Sequence, residues 1–111
     1  MIIFTDGSGK TGKYIYLIPE KRVFRLFQKH GLTNNEAEYM AVIEALKENK
    51  ENKIQIKSDS QLIVNQINKN YKIKEKRLKK LAEKVWKLCE NRNVEFTWIP
   101  REKNKAGHIL G

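Results

Sequence analysis

With Cys89 the only cysteine in 111 residues, the chain has no internal disulfide and no cysteine zinc cluster. Proline is nearly as scarce, and no Gly/Pro/Ser-rich stretch, internal repeat or low-complexity block divides the sequence. At this length and 40% hydrophobic content there is room for one core and little more, so residues 1–111 are expected to form a single domain. A long apolar run is also missing. Met1-Ile2-Ile3-Phe4-Thr5-Asp6 has no basic leader and soon reaches a carboxylate, unlike a signal peptide or a membrane span. The expectation is a soluble, cytoplasmic protein without a membrane partner. No spare apolar stripe is evident, so a monomer is expected.

Negative charge is in short supply. Lys and Arg number 23 against 13 Asp and Glu, a net charge of +10. Residues 1–70 hold 11 basic and 8 acidic side chains, and residues 71–111 hold 12 and 5, so the excess gathers in the last third. A basic surface attracts phosphate backbones and releases their counterions on binding. Lysine enrichment also serves solubility or heat tolerance. Charge therefore favours a nucleic-acid partner and says nothing about cutting.

Residues 2–6, 13–18 and 22–28 are rich in β-branched and aromatic side chains and read as three strands. Pro19-Glu20-Lys21 makes a hairpin turn, so these strands form an antiparallel meander. Thr33-Asn34-Asn35-Glu36 is a capping box that opens a helix over Ala37 to Glu48, apolar over much of its circumference. A fourth strand covers 53–57 and a short helix Ser60 to Asn68. From Lys74 to Asn91 the spacing of Leu78, Leu81, Ala82, Val85, Leu88 and Cys89 predicts a longer helix with lysines on its other side. Val94 to Ile99 is a last strand, stopped by Pro100. The order βββ-α-β-α-α-β implies an α/β domain with a mixed five-stranded sheet, the late strands parallel.

Gly7-Ser8-Gly9-Lys10-Thr11-Gly12-Lys13 satisfies the opening of a phosphate-binding P-loop. Tyr14 stands where that motif needs a hydroxyl for magnesium, and the loop feeds a strand where a P-loop feeds a helix. No nucleotide cofactor is expected. The glycines instead suit a tight hairpin, with a positive φ at Gly9 or Gly12.

Three carboxylates sit at element edges beside apolar residues: Asp6, Glu38 and Asp59. Taken singly each has an ordinary reading, as turn chemistry, a surface residue and a helix cap. If the first and fourth strands are parallel neighbours, Asp6 and Asp59 leave the sheet at one end and a crossing helix brings Glu38 to them. Three converging carboxylates repel unless a hard divalent cation neutralises them. A pair of such ions on a phosphodiester can activate water and stabilise the leaving oxygen.

Phe4-Thr5-Asp6-Gly7-Ser8 is followed by Thr33-Asn34-Asn35-Glu36-Ala37-Glu38-Tyr39 leading into Ala45-Leu46. Then come Ser58-Asp59-Ser60-Gln61 and Trp98-Ile99-Pro100-Arg101-Glu102 with Asn104. In this order, and across essentially the whole chain, these words resemble the type 1 ribonuclease H family. The resemblance implies a ribonuclease H-like fold, its sheet flanked by helices. It also implies two Mg²⁺ or Mn²⁺ ions and endonucleolytic hydrolysis of the RNA strand of an RNA–DNA hybrid, leaving 3′-hydroxyl and 5′-phosphate ends. Asp6, Glu38 and Asp59 take the positions of the first three metal-binding, catalytic carboxylates. Asn34, Asn35 and Gln61 fall where the family contacts the hybrid's minor groove, and Thr33 where it holds a DNA phosphate. Gly7, Ser8, Arg101 and Asn104 are expected to join them at the substrate. Amide side chains suit a groove that shows acceptors and 2′-hydroxyls but little sequence.

Two departures stand out. The family's fourth acid lies in N-x-x-A-D-x-L-A, whereas Asn104-Lys105-Ala106-Gly107-His108-Ile109-Leu110-Gly111 puts His108 in that place, with no acidic residue after Glu102. Either His108 completes the metal-binding, catalytic set, with Mn²⁺ preferred, or it is a frayed tail residue beside the site. In the second case the chain is a weakened enzyme or a non-cleaving module that binds hybrid or double-stranded RNA. The other departure is the short connection Lys69–Ile73, too short for the extra helix and basic loop that some members carry.

Overall fold

The computed structural model describes residues 1–110, with Gly111, the last residue of the tail motif, outside the described residues. Five strands, β1 (Ile2–Gly7), β2 (Lys13–Ile18), β3 (Val23–Gln28), β4 (Lys53–Ser58) and β5 (Asn93–Trp98), form one sheet in the order β3-β2-β1-β4-β5. β1–β2 and β2–β3 are antiparallel, and β1–β4 and β4–β5 are parallel, as the element order implies. Thr5 pairs with Ser58 at the end of β1 and β4. Asp6 and Asp59, each one residue further on, therefore leave the sheet at the same end.

Helix α1 (Asn34–Glu48) begins at the capping box: Thr33 accepts from the Glu36 amide and the Glu36 carboxylate accepts from the Thr33 amide. Tyr39, Val42, Ile43 and Leu46 bury against Ile3, Ile56 and Ile63. Helix α2 (Gln61–Ile67) is capped by the Ser60 hydroxyl, which accepts from the Ile63 amide. Helix α3 (Lys76–Leu88) buries Leu78, Ala82 and Val85 and leaves its lysine side to solvent. It is shorter than the periodicity suggests. Glu75 takes the N-cap, and Asn91 in the left-handed region (φ 62°) turns the chain at the other end.

The sequence pattern misses one helix, α4 (Lys105–Leu110). At six residues it is too short to show periodicity, yet it packs Ala106 onto Phe4 and Ile15 on the sheet face opposite α1. Two smaller corrections concern turns. Pro19–Lys21 forms a single 3-10 turn that ends on Arg22 at φ 53°, so β3 begins one residue later than expected. The positive φ in the glycine loop belongs to Gly12 (74°) and not Gly9, and the loop feeds β2. Among the described residues no helix is long and apolar enough to cross a membrane.

Candidate metal centre and nucleic-acid cleft

Asp6 is the last residue but one of β1, Asp59 follows β4, and Glu38 lies in the second turn of α1. One oxygen from each falls within 4.8 Å of the others. The close approach of α1 depends on Gly7. A Cβ there would meet the Ala37 carbonyl oxygen at 2.5 Å and the Glu38 nitrogen at 2.6 Å. A side chain at the strand end would push away the turn that carries Glu38.

Burial and mutual repulsion set the charge state. Glu38 is 6% exposed, and burial, followed by the charges of Asp6 and Asp59, pushes its carboxyl up to about 9. Burial and then Asp59 raise Asp6 to about 6, against the Gly7 amide and the Arg101 guanidinium, which favour its anion. Glu38 Oε1 is buried with no hydrogen-bond partner. An orphaned carboxylate oxygen beside two further carboxylates fits a hard divalent cation, because the ion offsets the desolvation and the repulsion together.

The sequence-predicted residues divide by position. Gly7, Ser8, Asn34, Arg101 and His108 line, with the three carboxylates, a cleft of about 780 Å³. Asn34 Oδ1 accepts from the Gly9 amide at 3.1 Å and ties the glycine loop to α1, leaving its amino group free. Thr33, Asn35 and Gln61 stand next to the lining residues Asn34 and Ser60 without lining the cleft themselves. His108 is exposed and outside the converging trio, with Nε2 3.1 Å from the Glu102 carbonyl.

Asn104 corrects its expected role. It is fully buried, so it cannot reach a substrate in the cleft. Its Nδ2 donates to Asp59 Oδ2 at 3.0 Å and to the Thr5 carbonyl at 2.9 Å, while Oδ1 accepts from the Ala106 amide at 3.1 Å. Two further contacts escape sequence reading because neither residue type signals them. Trp98 Nε1 donates to the Asp59 carbonyl at 3.1 Å, fixing the backbone that carries the carboxylate. Gly107 lets α4 lie against Asp6, since a Cβ there would stand 3.1 Å from Asp6 Oδ2.

A family model described as RNase H matches residues 1–108. The chain is 38% identical over 130 aligned positions to a ribonuclease H of Desulforamulus reducens, spanning 96% of this chain and 77% of that protein. It is 32% identical over 113 positions to the hydrolase-named EbsB of Enterococcus faecalis, spanning 96% and 84%. Among solved structures, LC11-RNase H1 in complex with an RNA/DNA hybrid superposes with a TM-score of 0.85 at 31% identity, covering 98% of this chain and 91% of that one.

Proposed function

The chain belongs to the ribonuclease H family, and on that premise we propose that it cuts the RNA strand of RNA–DNA hybrids, leaving 3′-hydroxyl and 5′-phosphate ends. The observation that carries this reading is the convergence of Asp6, Glu38 and Asp59 around a buried, unpartnered carboxylate oxygen. The structural relative bound to an RNA/DNA hybrid supports the choice of substrate.

Asp6, Glu38 and Asp59 would hold two Mg²⁺ or Mn²⁺ ions. Bound there, such ions supply Lewis-acid chemistry: a more acidic water and neutralisation of charge on the phosphodiester. The rest is the work of the chain. Asn104 orients the Asp59 carboxylate and the Trp98 indole fixes its backbone. Arg101 lends positive charge to the cleft and opposes the upward shifts of the Asp6 and Glu38 carboxyls. Ser8 and the free amino group of Asn34 face the cleft and offer donors to the hybrid, with Thr33, Asn35 and Gln61 beside them. We place His108 at the fourth ligand position, where imidazole favours Mn²⁺ over the oxygen-seeking Mg²⁺. The proposed setting is a cytoplasmic monomer with no nucleotide cofactor.

One observation favours a second reading. His108 stands in the place of the family's fourth acid but apart from the trio, which suits a module that binds hybrid or double-stranded RNA without cutting. The experiment is cleavage of an end-labelled RNA–DNA hybrid in Mg²⁺ and Mn²⁺ separately, with RNA–RNA and DNA–DNA controls and an Asp59→Asn variant. Hybrid-specific cutting that disappears in the variant is the expected result. Binding without cleavage in either metal selects the second reading.

A further inference from the structure

β3 is the outer strand at one end of the sheet, and β2 is its only strand partner. The Lys29 amide donates to the Gly12 carbonyl, one step beyond the Lys13–Gln28 pair. Backbone groups of an antiparallel pair alternate in direction along each strand. Val23, Arg25 and Phe27 therefore bond to β2, and the N–H and C=O groups of Phe24, Leu26 and Gln28 point away from the sheet. Among the described residues no loop or turn backbone covers those outward groups. The opposite edge is closed in part: α2 packs beside β5, and Asn68 Nδ2 donates to the Phe96 carbonyl at 3.0 Å.

The strand also lacks the usual protection of an open edge. Proline, a bulge or a protruding charge deters pairing with another chain. β3 contains no proline, its register with β2 runs without a bulge, and its single charge is drawn back over the sheet. Arg25 is ion-paired to Glu48 at 3.2 Å, and its guanidinium lies 5.2 Å from the centre of the Phe27 ring. Side chains at alternate positions share a face. Phe24 and Leu26, 50% and 48% exposed, stand together beside Leu17 and Ile15 on the face away from α1. Neighbouring exposed apolar side chains on an unpaired strand mark an interaction surface. The edge is firmly held, since Tyr14 stacks on Phe27 and Gln28 Nε2 donates to the Thr11 carbonyl.

Charge selects the occupant. Arg22 and Lys29 flank the strand, both exposed and, among the described residues, without an ion-pair partner. A second copy would bring these same cations together on two chains of +10 each, whereas an acidic segment answers them. We propose that β3 is the docking edge for a protein partner, which adds an extended antiparallel segment to the sheet. That segment sets two apolar residues at alternate positions against Phe24 and Leu26, and acidic residues at its ends against Arg22 and Lys29. Main-chain bonds to Phe24, Leu26 and Gln28 supply affinity, and the side chains supply specificity. No residue of β3 lines the carboxylate cleft, so the inference goes beyond the nuclease reading and does not depend on it.

The probe is a fluorescein-labelled peptide, Glu-Glu-Val-Thr-Ile-Thr-Glu-Glu, titrated with the whole chain at low salt and followed by anisotropy. Its Kd is expected to be on the order of 10–100 μM. Antiparallel pairing turns the Val and Ile amides toward β3 and the two Thr amides away from it. N-methylation of Val and Ile is therefore expected to weaken binding at least about tenfold, and N-methylation of both Thr less than about threefold. Replacing the glutamates by lysine is expected to cost about tenfold or more. In the chain, Phe24→Thr/Leu26→Thr removes the apolar pair but keeps a strand-forming residue at each position. It should weaken binding about tenfold, while Tyr71→Thr, at an exposed aromatic elsewhere, stays within about twofold. Amide exchange in the unsubstituted chain reads the edge directly. Phe24, Leu26 and Gln28 are expected to exchange faster than Arg25 and Phe27, and the peptide to slow those three. No binding at about 1 mM peptide, no slowing at the three amides, equal binding of the two methylated peptides, or a lysine peptide as tight as the parent overturns the proposal. Exchange at the three amides that slows with rising chain concentration, in the absence of peptide, gives the edge to a second copy and overturns it too.

Discussion

Asn104 Nδ2 donates to Asp59 Oδ2 and to the Thr5 carbonyl, so one side chain fastens the tail to the ends of both carboxylate-bearing strands. The same residue caps α4 through the Ala106 amide. Asn104→Ala removes all three bonds and leaves the buried Thr5 carbonyl unpaired. Stability is expected to fall by about 1–3 kcal/mol. A residue that orients a metal ligand has a further effect: Mn²⁺ affinity, read by electron paramagnetic resonance, is expected to drop about 10- to 100-fold. Unchanged Mn²⁺ affinity alongside reduced stability would show Asn104 to be a structural clamp only.

Metal-free chain should lose stability as pH rises. The folded-state values of Glu38 (about 9) and Asp6 (about 6) lie above the ordinary 4.5 and 3.8. A raised carboxyl means that the folded chain binds more protons than the unfolded one between those limits. Its contribution is then complete below about pH 4 and is lost progressively up to about pH 9. Thermal unfolding in EDTA is expected to show Tm declining across this window, with the alkaline part due to Glu38. Glu38→Gln should flatten that part, and Mn²⁺ should restore stability most at its alkaline end, where it binds an already ionised site. A Tm independent of pH in EDTA contradicts the crowding of the three carboxylates.

Two glycines separate packing from chemistry. A Cβ at Gly7 meets backbone atoms of Ala37 and Glu38 that cannot swing aside, whereas one at Gly107 meets only the tip of the Asp6 side chain. Gly7→Ala is therefore expected to cost about 1–3 kcal/mol by overpacking and to abolish metal binding by displacing Glu38. Gly107→Ala should leave stability within about 1 kcal/mol of the original while changing Mn²⁺ affinity through Asp6. Denaturant melts with Mn²⁺ titrations test the contrast; equal destabilisation by both substitutions would refute it.

Strand periodicity and the capping box at Thr33 and Glu36 made most of the architecture legible, because both are short-range signals that need no tertiary partner. Element order favoured parallel pairing of the late strands, whereas the adjacency of β1 and β4, and with it the meeting of Asp6 and Asp59, stood there only as a condition that the sheet now meets. What stayed hidden depends on long-range contacts. Arg92 donates to the carbonyls of Leu46, Leu88, Asn49 and Glu51, binding the C-terminal ends of α1 and α3 together. Its sequence neighbourhood, Asn91-Arg92-Asn93, reads as an ordinary polar turn. Asn104 was legible as a motif residue but not as a buried one, since its partners lie 45 and 99 positions away. α4 is likewise held by the sheet face and not by its own periodicity.

His108 decides how far this chain departs from an all-carboxylate centre. It lines the cleft, but its Nε2 faces the Glu102 carbonyl and it is not one of the three converging ligands. If it completes the set, an oxygen ligand in its place should favour the metal that prefers oxygen. His108→Asp is then expected to raise Mg²⁺-supported cleavage about tenfold or more relative to Mn²⁺, and His108→Ala to lower the Mn²⁺-supported rate by a similar factor. The measurement is the ratio of initial rates in the two metals at matched free concentration, for the three chains side by side. Because His108 is exposed, neither change disturbs the core, and differences in folding do not enter the ratio. An identical ratio in all three chains removes His108 from the metal centre and leaves Asp6, Glu38 and Asp59 as the whole ligand set.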